Sequence, residues 1–161
     1  MSDSKQLRYD KAYLKMATEW AKLSHCKRRQ VGALIVKDKM IISDGYNGTP
    51  TGFENCCEDD EGYTKWYVLH AEANAILKVA SSTQSTRGST LYVTLSPCTD
   101  CSKLIFQSGI LRVVYITEYK DRTGIDFLIA VITADNISSG FAGAAFVIYL
   151  SGLTSIKFTA T

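Results

Sequence analysis

The chain lacks a strong charge of either sign, because 18 Lys and Arg residues face 16 Asp and Glu residues for a formal net charge of +2. Proteins that follow nucleic-acid phosphates usually carry a pronounced basic excess, so we expect no nucleic-acid partner. The sequence also lacks internal repeats and low-complexity tracts before residue 126. A chain of 161 residues with these properties fits one domain with one core and a single compact site.

The amino terminus lacks an apolar segment. Its first residues, MSDSKQLRYDK, are charged and polar, unlike the apolar core of a signal peptide. We therefore expect a cytoplasmic protein in a reducing environment, where a CxxC pair is a metal or redox site more often than a disulfide. The CxxC pair here is Cys98 and Cys101, and the five cysteines that could pair as disulfides in a secreted protein are Cys26, Cys56, Cys57, Cys98 and Cys101.

Charge is nearly absent from the carboxyl-terminal part of the chain. Beyond Asp126 the charged residues are Asp135 and Lys157, and residues 137–156 form an uncharged run near the length of a bilayer-spanning helix. We therefore divide the chain into a domain over residues 1–126 and an atypical apolar tail over residues 127–161. We favour a fusion or frame junction for this tail. A divergent helix and strand packed on the core is the alternative.

Apolar periodicity and β-branched runs predict helices and strands that alternate along the first 126 residues. Two adjacent runs predict an antiparallel hairpin, VGALIVK (31–37) and MIISDGY (40–46). A strand, helix, strand order later in the chain predicts a parallel, right-handed connection, and hence an α/β fold with a mixed sheet between helices. The helices are predicted over 10–24, 70–80 and 99–108, and the later strands over 90–95 and 112–117.

Four residues carry a pattern with specific chemistry. His70, Cys98 and Cys101 supply one imidazole and two thiols, which suit tetrahedral Zn²⁺ and leave its fourth corner to water, as in catalytic sites. Both His70 and Cys98 begin predicted helices, where free amides and the helix dipole favour thiolates. Glu72, two residues after the histidine, is placed to take a proton from a bound water and return it to a substrate.

The combined pattern is the known H-x-E…P-C-x-x-C signature of zinc nucleobase deaminases. A CxxC pair alone also occurs in structural zinc knuckles, and an HxE alone at solvated helix starts. A zinc module without catalysis would have no need of Glu72, so its presence favours an enzyme.

Longer strings carry a resemblance to one family. HAEANAI, LYVTLSPCTDCSKLI, QSGI and DGYNGTPTGFENCCED resemble the deoxycytidylate deaminases of bacteria and phages over about residues 8–126. The resemblance implies a three-layer α-β-α cytidine deaminase-like fold with about five strands. It also implies zinc-dependent hydrolysis of dCMP to dUMP and ammonia, a homo-oligomer that is a hexamer in the family, and the effectors dCTP and dTTP. A cytidine or tRNA adenosine deaminase is the alternative, with a more basic surface expected for tRNA.

The same resemblance implies four substrate-binding residues. Asn47, in the loop GYNGTP, is expected to contact the deoxyribose, and Arg29 and Tyr119 to contact the nucleotide, with Ala71 beside His70. An ordinary turn at Asn47, a solvated basic run around Arg29 and surface packing of Tyr119 are the structural alternatives.

The resemblance also bears on the three cysteines outside the CxxC pair. In phage relatives a second, non-catalytic zinc uses cysteines that match Cys26 and Cys56, but the histidines that complete it have no evident counterpart here. We therefore expect Cys26, Cys56 and Cys57 to be small buried residues rather than ligands.

The tail resembles part of a permease transmembrane segment, so we expect a membrane contact only through residues 127–161.

Overall fold

The computed structural model describes residues 3–138, 146–151 and 155–158. The predicted strands over 40–46, 90–95 and 112–117 are found with the same bounds, and the first helix begins earlier, at Asp3. The elements, in chain order, are α1 (Asp3–Ala21), β1 (Gly32–Lys37), β2 (Met40–Tyr46), α2 (Ala71–Ala80), β3 (Thr90–Leu95), α3 (Thr99–Gln107), β4 (Arg112–Thr117), α4 (Thr123–Ser138), β5 (Phe146–Ser151) and β6 (Ser155–Phe158).

The strands form one mixed sheet in the order β2-β1-β3-β4-β5-β6. Strand β1 pairs antiparallel with β2 and with β3, whereas β3 and β4 run parallel and are connected through α3. The predicted hairpin and the predicted parallel connection are therefore confirmed. About five strands were expected, and the described residues contain six because β6 pairs antiparallel with β5.

Helices cover both faces of the sheet. On one face α1 contributes Leu14 and Ala17, which pack against Leu34, Tyr92 and Val114 of the strands. The other face is covered by α2, α3 and α4. Its buried core includes Ala75, Val79, Ile105, Ile125 and Leu128 from the helices and Ile35, Leu91, Val93, Val113 and Tyr115 from the strands. The predicted three-layer α-β-α arrangement is confirmed.

Helix α2 lies unusually close to strand β2, and a glycine makes this possible. A Cβ atom at Gly45 would overlap the carbonyl of Ala71 and the amide of Ala75. Two side chains fix the approach: the Ser43 hydroxyl donates to the Ala75 carbonyl at 2.7 Å, and the Asn74 amide donates to the Tyr46 carbonyl at 2.8 Å. Strand β2 therefore sets the position of the first turn of α2.

The division proposed after residue 126 falls within α4. Ile125 and Leu128, on either side of it, are fully buried, and the backbone of β5 pairs parallel with β4. The junction interpretation of residues 127–161 stays a prediction, and residues 139–145, 152–154 and 159–161 lie outside the described residues. Among the helices in the described ranges, none is long and apolar enough to cross a membrane.

Candidate active site

Two helix starts bring three metal-binding side chains together. His70 directly precedes α2 and Cys98 directly precedes α3, while Cys101 lies in the first turn of α3. The Nδ1 atom of His70 lies 3.5 Å from Sγ of Cys98 and 3.4 Å from Sγ of Cys101. The three potential ligand atoms all lie within 4.8 Å of one another.

These distances fit a tetrahedral zinc ion. Zn–N and Zn–S bonds of usual length put nitrogen and sulfur ligands about 3.6 Å apart on a tetrahedron. Although His70 and Cys98 occupy N-cap positions, neither side chain makes a capping hydrogen bond, so both stay available to a metal. One imidazole and two thiols are also a donor set that zinc prefers.

The protonation of the two thiols differs. Hydrogen bonds from Cys101 and His70 lower the pKa of Cys98 to about 4, which favours the thiolate form of this sulfur. At Cys101, a hydrogen bond to Cys98 and burial together raise the pKa of the thiol. Binding of a divalent cation would release the proton of the Cys101 thiol, because a cysteine binds metal as the thiolate.

Glu72 lies in the first turn of α2 and is only 4 % exposed. Burial raises the pKa of its carboxyl group to about 7, and this shift is opposed by a backbone hydrogen bond and by His70. A carboxyl group with such a pKa can both accept and return a proton near neutral pH. The position and protonation of Glu72 suit an acid–base role.

One cavity of about 510 Å³ joins the cluster to the predicted substrate contacts. Its volume lies within the usual range of small-molecule sites, roughly 300–1,000 Å³. The lining includes His70, Glu72 and Cys98. It also includes all four residues predicted to bind substrate, namely Arg29, Asn47, Ala71 and Tyr119. Their contacts with a nucleotide stay predictions.

The side chain of Asn47 is occupied on both sides by backbone contacts. Its Oδ1 accepts a hydrogen bond from the Val31 amide at 2.7 Å, and its Nδ2 donates to the Arg29 carbonyl at 2.8 Å. The residue therefore ties residues 29–31 to the end of β2. At Tyr119 the backbone amide donates to the Ser96 hydroxyl at 2.8 Å, which fixes the chain just after β4.

Further cavity residues were not assigned from the sequence. Arg28 and Lys120 are neighbours of Arg29 and Tyr119, and their positive charge beside a predicted nucleotide contact is a signal that could have identified them. Glu58 also lines the cavity, from the loop between β2 and α2 (residues 47–70, hereafter the β2–α2 loop). No sequence pattern points to Glu58, because this loop has no apolar periodicity.

Cys26 and Cys57 form a disulfide, which the expected reducing environment did not predict. Both are buried, as predicted, at 4 % and 1 % exposure. Their Cα atoms lie 5.0 Å apart because the loop after α1 folds against the β2–α2 loop, and this is a separation that a disulfide spans. Cys56 is half-buried and keeps a free thiol.

Comparisons with known proteins agree with this site. Residues 7–117 match the family described as cytidine and deoxycytidylate deaminase zinc-binding region. The deoxycytidylate deaminase of Mycobacterium phage D29 is 40% identical over 124 residues, which cover 68% of this chain and 95% of the relative. That of Enterobacteria phage T4 is 37% identical over 145 residues, which cover 64% of this chain and 75% of the relative.

A solved structure is similar in both sequence and fold. The dCMP deaminase of cyanophage S-TIM5, crystallised with dCMP and dUMP, is 47% identical with a TM-score of 0.74. The match covers 80% of this chain and 92% of the phage enzyme.

Proposed function

Because this chain belongs to the family of cytidine and deoxycytidylate deaminases that share a zinc-binding region, we propose that it hydrolyses dCMP to dUMP and ammonia. The observation that carries the proposal is one cavity that joins the metal-binding cluster, the buried carboxyl group of Glu72 and several basic side chains. The similar phage enzyme crystallised with dCMP and dUMP supports the same substrate and product.

The metal-binding cluster would hold a zinc ion beside the substrate. Zinc held by His70, Cys98 and Cys101 would supply a reactive water near neutral pH, because the ion lowers the pKa of a water bound to it. Cys98 and His70 line the cavity directly, so their metal would face a bound base. Three side chains among the described residues would hold the ion, which would leave it able to bind a water as well.

Glu72 performs the proton transfers in this proposal. Its carboxylate accepts a proton from the attacking water as the C–O bond forms at C4 of cytosine, and delivers it to N3 of the ring. Glu72 then moves a second proton from the new C4 hydroxyl group to the C4 amino group, and the C4 oxygen becomes a carbonyl as the C–N bond breaks and ammonia leaves. The overall reaction consumes one water and yields dUMP, a precursor of thymidylate. The pKa of about 7 lets Glu72 act as base and then as acid.

Basic residues in the cavity support a phosphorylated substrate. Arg28, Arg29 and Lys120 line the cavity, and their side chains are exposed enough to meet a doubly charged phosphate. Asn47 and Ala71 would lie beside the sugar and the base, and Tyr119 would stack on or hydrogen-bond the nucleotide. A nucleoside has no phosphate group with which these three cations could pair.

Ammonia release from dCMP, cytidine and tRNA, measured in parallel on the full-length protein, tests this function. We expect dCMP to be the best substrate. Faster release from cytidine would move the chain to the nucleoside deaminases, and salt-sensitive release from tRNA would make it an adenosine deaminase. Bound zinc with no release from any of the three would indicate a non-catalytic zinc module.

The assembly and the location of the enzyme are further proposals. We propose a homo-oligomer, a hexamer as in the family, with dCTP and dTTP as effectors. Free cytosine nucleotides as substrates favour the cytoplasm. The near balance of charges, +2 overall, agrees with a free nucleotide rather than a nucleic acid as partner.

A further inference from the structure

Two neighbouring attachments hold residues 27–29, here called the basic segment, against the β2–α2 loop. Oε1 of Glu58 accepts hydrogen bonds from the backbone amides of Lys27 and Arg28 at 3.0 and 3.1 Å. The disulfide joins Cys26, which directly precedes Lys27, to Cys57, which directly precedes Glu58. Glu58 is only 7 % exposed, so water competes little for its hydrogen bonds.

The other end of the basic segment is also fixed. Nδ2 of Asn47 donates to the Arg29 carbonyl at 2.8 Å, and Oδ1 of Asn47 accepts from the Val31 amide at 2.7 Å. The segment backbone is therefore held from both sides, while the side chains of Arg28 and Arg29 are exposed and line the cavity. Cations on a fixed backbone bind an anion more tightly, because less motion is lost on binding.

The charge of Glu58 is at first sight unfavourable. A carboxylate in the wall of a cavity that binds a phosphate dianion repels that dianion. Its contacts explain its presence, because Oε1 accepts hydrogen bonds from two backbone amides that lie outside any helix or strand. The second oxygen, Oε2, is buried and accepts no hydrogen bond from the residues that the structure describes.

We propose that Glu58 is a positioning residue for substrate phosphate: it holds the Lys27 and Arg28 amides so that Arg28 and Arg29 face the cavity. The inference rests on the proposed dCMP deaminase function and deepens it. Holding the amides requires one acceptor oxygen, which a glutamine also has. Because no described donor contacts Oε2, replacing this atom by an amide nitrogen breaks no hydrogen bond.

The test is the ratio of kcat/KM on dCMP to kcat/KM on deoxycytidine, which isolates the contribution of the phosphate. Full-length, zinc-loaded wild type is compared with Glu58→Ala, Glu58→Gln and the control Glu61→Ala, which removes a charge from an exposed position in the same loop. We expect Glu58→Ala to lower the ratio about tenfold, through KM for dCMP, as befits loss of a charged hydrogen-bond acceptor. Rates on deoxycytidine should change little.

The two other variants separate positioning from simple charge repulsion. Glu58→Gln should keep the ratio within about threefold of wild type, because the amide oxygen still accepts both backbone hydrogen bonds. Charge repulsion alone predicts the opposite sign, with a higher ratio in both Glu58→Ala and Glu58→Gln, and that result would overturn the proposal. Glu61→Ala should match wild type. An equal fall in Glu61→Ala would also reject a specific role of Glu58.

The remaining outcomes also decide the question. A folded, zinc-loaded Glu58→Ala with an unchanged ratio rejects the inference but leaves the deaminase function intact. A wild-type ratio near one rejects the phosphorylated substrate, and the phosphate role of Glu58 with it. If Glu58→Ala does not fold, Glu58→Met keeps the side-chain volume without an acceptor and gives the same readout. If neither variant folds, Glu58 supports the whole fold and the specific role is wrong.

Discussion

Asp10 and Arg112, separated by 102 residues in the sequence, form a two-bond ion pair with distances of 2.8 and 2.6 Å. The pair joins helix α1 to strand β4, and the Tyr92 hydroxyl of β3 donates to the same carboxylate at 2.7 Å. The side chain of Asp10 is 2 % exposed and that of Arg112 is 15 % exposed. A largely buried ionic contact therefore holds α1 on its face of the sheet.

Asp10→Ala should lower the free energy of unfolding by about 3–5 kcal/mol, because it leaves the Arg112 guanidinium buried without its counter-ion. Urea unfolding monitored by circular dichroism measures the change. Glu19→Ala is the matched control, since Glu19 lies on the exposed side of the same helix and pairs with Lys22, just beyond its end. Its effect should stay under about 1 kcal/mol. Equal effects in the two variants would contradict the importance of the buried pair.

Purified protein should contain about one zinc per chain, and Cys98→Ala should lose most of it, because the cluster then keeps only two ligands. Metal analysis after dialysis gives the content. Cys56→Ala is the control, since Cys56 has a free thiol outside the cluster and should leave the zinc content unchanged. Retention of zinc in Cys98→Ala would reject the ligand assignment.

Glu72→Gln should keep its zinc and lose about 10²- to 10⁴-fold of kcat, because the amide preserves the shape of the side chain but cannot carry the proton. Steady-state ammonia release and metal analysis on the same preparation give the two readouts. Near-normal turnover would reject the acid–base role. Joint loss of zinc and activity would make Glu72 a support of the metal site instead.

Gly45→Ala should destabilise the protein and reduce its zinc content, because the new methyl group overlaps the backbone at Ala71 and Ala75 and moves the helix that follows His70. Gly48→Ala is the matched control, since the nearest atom to its new Cβ is a Tyr46 side-chain carbon at 3.9 Å. Thermal melting and metal analysis compare the variants. Similar melting temperatures would show that α2 does not depend on this close approach.

The tail prediction needs a comparison of three proteins: the full chain, a chain ending at Asp126, and a graft carrying the last helix and strand of an ordinary relative. If residues 127–161 are foreign, the graft should be the most soluble and heat-resistant. The shortened chain should gain nothing, because it loses Leu128 from the core and the strand beside β4. If the full chain has the same melting temperature as the graft and forms a defined oligomer, the tail is an integral part of the domain.

Much of the fold follows from local patterns in the sequence. The bounds of β2, β3 and β4 could be predicted from β-branched runs, and the parallel pairing of β3 with β4 from the helix between them. His70 and Cys98 could be placed at helix starts because each precedes a run of helix formers. These features depend on near neighbours in the chain, so one sequence contains enough information for them.

The surroundings of the site depended on contacts between loops. The sequence by itself determined the metal-binding constellation, the position of Glu72 two residues after His70, and the order of the elements that carry them. Only the tertiary structure decided that Cys26 bonds to Cys57 and that Glu58 receives the amides of the basic segment. The physical reason is that loop segments lack a repeating pattern, so the contacts between them are fixed only when the helices and strands they connect have packed.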